Sequence, residues 1–254
     1  KWFHLRIGFP VFGFVKPVTQ WGESQQFNLG FNFSVKKLFF DFDFKTVRGY
    51  AIQDYAAIDS NYIVGLTENR VTPSVGITNF SLNAWYFHNK DFKMSALRGK
   101  QAHYKEAVQT WYLKGTVNAF GVDNNGKAII PAILLDNNVS KTEASIYSAF
   151  DFGVIPGYAY VTRVHNWQLS GWLGLGAVIQ SKFYALSGSP RGFLGLAPRY
   201  DVRFIGGYTN ENYFVFLVSE FDNKSISFNE LKYRQYFYSI RLSAGIRFGE
   251  NKKD

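Results

Sequence analysis

The sequence predicts an all-β chain, folded as a transmembrane antiparallel up-and-down β-barrel of about ten strands, with about twelve or eight as the alternatives. Three observations predict it. Apolar and polar residues alternate in almost every segment, which is the period of a strand with two unlike faces. Several segments are long enough to match the roughly nine to eleven residues that cross a bilayer at a tilt. Short and long connections alternate, as in barrels with tight turns on one side and long loops on the other.

The elements follow in order. In "WFHLRIGFPVFGFV", Phe3, Leu5, Ile7, Phe9 and Val11 share one face, with His4 and Arg6 on the other. In "QQFNLGFNFSV", Phe27, Leu29, Phe31 and Phe33 alternate with Gln26, Asn28, Gly30, Asn32 and Ser34. In "KLFFDFDFK", Leu38, Phe40, Phe42 and Phe44 alternate with Asp41, Asp43 and Lys45. Further strands are expected over 74–88, 106–120, 145–162, 166–183, 192–206, 212–222 and 233–249. Short connections are expected near 35–37, 164–166 and 209–212, and long ones over 15–24, 48–73, 121–144, 183–191 and 222–232. The segment 89–105 is long where a short turn is expected; it folds under the barrel, enters the lumen, or extends a strand. Residues 1–249 form the barrel in this reading, and 250–254 a periplasmic tail.

Composition supports a barrel over a helical membrane protein. Aromatic residues make up 19% of the 254-residue chain, and the mean hydropathy is only -0.14. No apolar run is long enough for a membrane helix. Cysteine is absent, which excludes disulfides and thiolate metal sites. A net charge of +9 invites a nucleic-acid reading. The alternation of the arginines with apolar residues places them in a lumenal row instead, so no nucleic-acid partner is expected.

A soluble sandwich also alternates, but its polar face meets water and carries scattered Lys and Glu. Here that face carries Gly, Asn, Ser, Gln, Asp and Arg. A lumenal charge network of Asp41, Asp43, Arg199, Asp201, Arg203, Arg241 and Arg247 is expected, because buried charges are tolerable only when paired or wet. Trp2, Trp85, Trp111, Trp167, Tyr158 and Tyr160 lie near expected strand ends, where interfacial girdles place such rings.

The closing stretch "YSIRLSAGIRF" carries the apolar row Tyr238, Ile240, Leu242, Ile246 and Phe248. It resembles the terminal insertion signal of outer-membrane proteins, which ends on an aromatic residue and is read by the barrel-assembly machinery. The chain as a whole resembles an uncharacterised outer-membrane β-barrel family of Bacteroidota, known as a domain of unknown function. The matching pieces are "FFDFDFKTVRGY", "AWYFHNKDFKMSA", "VQTWYLKGTVNAF", "FGVIPGYAYVTRVHNWQLS", "GLAPRYDVRFIGGYTNENYFVFL" and the closing strand. The resemblance implies a barrel in the outer membrane of a Gram-negative bacterium, with the C-terminus periplasmic and no established activity. One departure stands out. Near Gln109 the family pattern has smaller, more basic residues, and this chain has Trp111 and Tyr112.

Nothing in the sequence assembles a catalytic centre, a cofactor site or a metal site. His4, His88, His103 and His165 sit at no ligand or triad spacing with a carboxylate. Asp41 and Asp43 read as half of the charge network rather than an acid/base pair. The "DNNG" at Asp123–Gly126 lacks the full ligand set of a calcium loop and reads as a polar turn. "GWLGLG" lies in a strand with no helix after it, so Gly171, Gly174 and Gly176 relieve crowding in a narrow barrel or permit a bend rather than bind a dinucleotide. Pro156 and Pro198 suggest bulges or breaks. The expected function is that of a barrel with a side-chain-filled lumen, a structural or accessory subunit of a larger outer-membrane complex for assembly, secretion or nutrient uptake. An outer-membrane enzyme with a loop-borne site and a narrow pore or ligand-binding barrel are the alternatives. The expected partners are outer-membrane lipid and lipopolysaccharide, the assembly machinery during insertion, and other outer-membrane proteins.

Overall fold

A computed structural model describes residues 2–8, 22–35, 37–61, 69–92, 94, 107–136, 138–186, 189–210 and 212–246. Ten strands form one antiparallel sheet in sequence order: β1 (Trp2–Gly8), β2 (Gln25–Val35), β3 (Leu38–Ile52), β4 (Arg70–Phe87), β5 (Val108–Asp123), β6 (Ile146–Val164), β7 (Trp167–Leu186), β8 (Ser189–Thr209), β9 (Tyr213–Ser227) and β10 (Lys232–Ile246). Each strand pairs with its neighbours in the chain, as consecutive strands with hairpin links must. The one described α-helix is the single turn α1 (Tyr55–Ile58), with short 3-10 turns at Ala132–Leu134 and Ser140–Glu143.

The sheet curls until distant strands touch across its hollow. Lys114 on β5 meets Asp201 on β8, Lys224 on β9 meets Ser81 on β4, and the Lys45 ammonium on β3 lies 5.5 Å from the Phe237 ring on β10. This is an up-and-down barrel sheet. No described helix is long and apolar enough to cross a membrane, which says nothing of strands.

The period of two sorts the side chains. Pairings such as Phe39↔Trp85 and Trp85↔Lys114 put those residues on the concave face, and their neighbours Leu38, Tyr86 and Leu113 on the convex one. Trp85 therefore points into the hollow and not to an outer girdle, because its register partners are inward. Trp111, Trp167, Tyr158 and Tyr160 do stand exposed on the convex face. The side chain of Trp2 lies outside the described residues.

Connections divide the barrel into a turn end, carrying 36–37, 165–166 and 210–212, and a loop end, carrying 53–69 and 124–145. Two expected long loops are corrected. The 183–191 region is a paired ribbon, with Leu186↔Ser189 closing the β7–β8 ladder. Pro190 fits there because β8 meets β9 only from Asp201 onward, so no ladder bond is lost on that side. The 222–232 region is also mostly strand, closed by the Phe228 N–H donating to Leu231 O at 2.7 Å. Short and long connections thus alternate less regularly than expected.

Beyond Asp222 the end of β9 leaves β8 and bends across the hollow toward β7. Gln180 Nε2 donates to Ser225 O at 2.8 Å, and Lys182 Nζ donates to Ser227 O. Asn223 replaces the lost ladder bonds: it accepts from Tyr200 N at 2.9 Å and donates to Pro198 O at 3.3 Å. Pro198 itself stays in register with Ala177, so the β7–β8 ladder runs through it, while on the β9 side it falls where the ladder has already ended. The ladder between β6 and β7 does lapse at Pro156, between Val154↔Ala177 and Gly157↔Gly174.

Candidate functional site

The inward face is layered along the barrel axis. At the turn end lies an apolar plug of Phe39, Trp85, Phe87, Tyr112, Ala159, Val161 and Trp172. Phe92 and Met94 join it from the connection after β4. The part of that connection around Phe92 and Met94 therefore enters the lumen, one of the three outcomes its sequence allowed. Tyr112 is fully buried, and two glycines make its space. A Cβ on Gly157 would fall within the Tyr112 ring, and one on Gly174 would lie 2.6 Å from its hydroxyl. Gly174 thus relieves crowding as its strand setting implied.

At the loop end a second apolar plug gathers Val75, Phe120, Val122, Tyr147 and Tyr184. The inbent end of β9 supplies Ile226 and Phe228 to it. Tyr184 and Phe228 meet edge to face at 5.3 Å.

Between the plugs runs a charged belt. Arg199 pairs with Asp151, and both are almost wholly buried. Lys114 donates to Asp201 Oδ2 at 2.8 Å, while Trp172 Nε1 donates to Asp201 Oδ1 at 3.0 Å. Glu220 is shared by Arg203 and by Arg241, the latter at 3.3 Å. The belt's cations lean on the rings of both plugs. Arg199 and Lys224 lie 5.6 and 5.7 Å from the Phe120 ring, and Lys114 and Arg203 lie 5.0 and 4.8 Å from Trp85 and Trp172. Such contacts are worth about 0.5–2 kcal/mol each, more when desolvated.

A chamber of about 350 Å³ remains inside the belt. Asp41, Asp43, Asp201, Arg203 and Arg241 all line it, so five of the expected network residues face one space. Arg199 is buried beside it. Arg247 lies outside the described residues. The sequence reading missed Asp151, Lys114, Glu220, Asp222 and Lys224. Each sits at an inward position of its strand, and that parity was the available signal. Asn79 is buried on the chamber wall with no protein partner for either amide atom. A space of this size can hold ordered water against such groups.

Tyr238, Ile240, Leu242 and Ile246 of the closing strand are among the most exposed apolar residues, all on the convex face. Phe248 lies outside the described residues. Tyr86, Trp111, Tyr158, Trp167 and Tyr213 ring the turn end on that face. Trp111 stacks on His88 at 4.7 Å, and Trp167 meets Tyr208 at 5.7 Å. Trp111 and Tyr112, the departure from the family pattern, thus take opposite roles: one joins the outer ring and one fills the plug. Among the described residues no group of His, Cys, Asp and Glu is placed to hold a metal ion.

An antiparallel up-and-down barrel with a packed polar interior is the class that this geometry defines. The chain belongs to the family described as Domain of unknown function (DUF4421), whose model matches residues 1–248. No curated protein matches the sequence.

Proposed function

We propose that the chain is an integral barrel of the outer membrane, as expected for a Bacteroidota protein, with its lumen closed by its own side chains. One observation carries the reading: the barrel is inverted relative to a soluble protein. Its convex face exposes Tyr238, Ile240, Leu242 and Ile246 at 69–80%, while Arg199 and Asp151 are buried at 3% and 0%. A water-soluble chain rarely exposes so large an apolar surface. A bilayer demands it, and it also favours aromatic rings at the interface. The turn end then faces the periplasm and the loop end the outside. The apolar row of the closing strand fits recognition by the barrel-assembly machinery.

With two plugs and a belt inside, the barrel acts through its surfaces, as a structural or accessory subunit of a larger outer-membrane complex. Lipid and lipopolysaccharide surround it, and the loops at 53–69 and 124–145 offer outward contacts. Two measurements test this. Heated and unheated samples in detergent should migrate differently in a gel, and the folded chain should precipitate without detergent. A chain that stays folded and monomeric in plain buffer overturns the membrane reading. In planar bilayers the purified barrel should pass no current, and a steady conductance would favour a narrow pore instead.

A further inference from the structure

A second cavity, of about 520 Å³, opens outside the lumen at the turn end. It lies beside the aromatic ring, between the connection after β2 and the starts of β5 and the connection after β4. Lys37 and Lys90 line it with His88, and among the described residues no carboxylate does. Trp111, Tyr158 and Gln109 complete its wall. These walls are held in place. Trp111 is stacked on His88, and Tyr158 Oη donates to Gln109 Oε1 at 2.5 Å. Lys37 Nζ donates to His88 O at 2.9 Å, which engages one of an ammonium's three donors. The same Nζ lies 5.9 Å from the Tyr86 ring.

Three properties converge on one ligand. The charge of the described lining residues is of a single sign, unlike the mixed lumen. The depth is that of the interfacial rings, where headgroups lie. The cavity continues onto apolar surface, because Leu38 and Leu113 stand exposed next to it on the convex face. We propose that this cavity seats the anionic headgroup of a phospholipid of the periplasmic leaflet, its phosphate between Lys37 and Lys90 and its acyl chains along Leu113. A free oxyanion would use the lysines and leave the apolar continuation unused. An acidic peptide would have no reason to sit at the depth of the rings.

The inference rests on the membrane reading, and one experiment separates them. The full chain is purified in mild detergent and incubated with phosphatidylglycerol, phosphatidylcholine or inorganic phosphate. Bound lipid is counted by native mass spectrometry, and the thermal midpoint is followed. Phosphatidylglycerol should be retained at least about tenfold better than phosphatidylcholine, a gap of about one decade in affinity. It should also raise the midpoint. Combining Lys37→Ala with Lys90→Ala should abolish that preference, while Lys232→Ala at the loop end should leave it intact. Heat-modifiable migration confirms that each variant folds. Equal retention of both lipids, or a double variant that behaves as the parent, overturns the site. An equal shift with inorganic phosphate alone overturns the lipid in favour of a free oxyanion. A chain that folds without detergent overturns the membrane reading itself; one that needs detergent but shows no preference overturns only this inference.

Discussion

The loop-end plug around Phe228 and the belt around Arg199 share one inward face, yet different forces hold them. The plug is a hydrophobic core in miniature, closed by the inbent end of β9. Its energy scales with apolar area removed from water, about 25 cal/mol per Å². The belt gains little net energy from its ion pairs, because desolvation offsets the attraction. What the belt contributes is selectivity of fit: each charge is tolerated only with its partner in place. The comparison teaches that a barrel this narrow can be filled in two ways at successive depths. Cations lying on plug rings couple the two layers.

Removing one charge from the belt should have the largest effect. Asp151→Asn leaves Arg199 buried without its carboxylate and should cost about 3–5 kcal/mol, read as a shift in the urea midpoint of folding in detergent micelles. Replacing both partners, Asp151→Leu with Arg199→Met, should recover most of that loss. A double variant as unstable as the single one would break the distinction between belt and plug. Next comes the turn-end plug. Tyr112→Ala should cost about 3 kcal/mol by the same measurement, because it opens a cavity against Gly157 and Gly174 that cannot collapse. Glu220→Gln should cost at most about 1 kcal/mol, since Glu220 and Arg241 keep access to solvent and the amide oxygen can still accept from Arg203. A larger loss would show the belt to be less wet than its chamber implies.

The smallest effect should come from the surface contact that ties the 124–145 loop to the β9–β10 turn at the loop end. Lys141 donates to Glu230, and this hydrogen bond holds the Glu230 carboxyl below its ordinary range. A carboxyl lowered in the folded state contributes above its unfolded value and loses that contribution as pH falls through the folded one. The 124–145 loop should therefore resist proteolysis equally from neutral pH down to the ordinary carboxylate range and become more labile only below it. Glu230→Gln should remove that pH dependence.

Much of this was legible in the residues. The alternation in "YFYSIRLSAGIRF" assigned Ile240 and Leu242 outward and Arg241 inward, and the structure has that parity. Parity follows from strand geometry alone, so local sequence suffices. Trp85 was misplaced because proximity to a strand end says nothing about which side a ring takes. The partner of each charge was harder still. Arg199 finds Asp151 on β6, which is 48 positions earlier in the chain, and Arg241 finds Glu220 on β9. Such matches depend on how far the sheet curls and staggers, which no single strand encodes. The tight end at Leu186 was obscured by Gly, Ser and Pro, and that at Phe228 by Asn and Ser, residues that ordinarily mark loops.

The β7–β8 hairpin is built from strands of 20 and 21 residues. At about 3.3 Å per residue, that is roughly 65 Å of ribbon. Seated at a tilt of about 45° in an apolar band about 25 Å tall, it would leave roughly 20 Å standing clear of the bilayer. β6 flanks β7 as far as Ala185, and the inbent end of β9 backs the outer half of β8, with Phe228 against Phe193, so this ribbon is wall for nearly its whole length. On the proposed membrane seating, that raised rim of wall is what an antibody, a phage or a neighbouring cell would touch first.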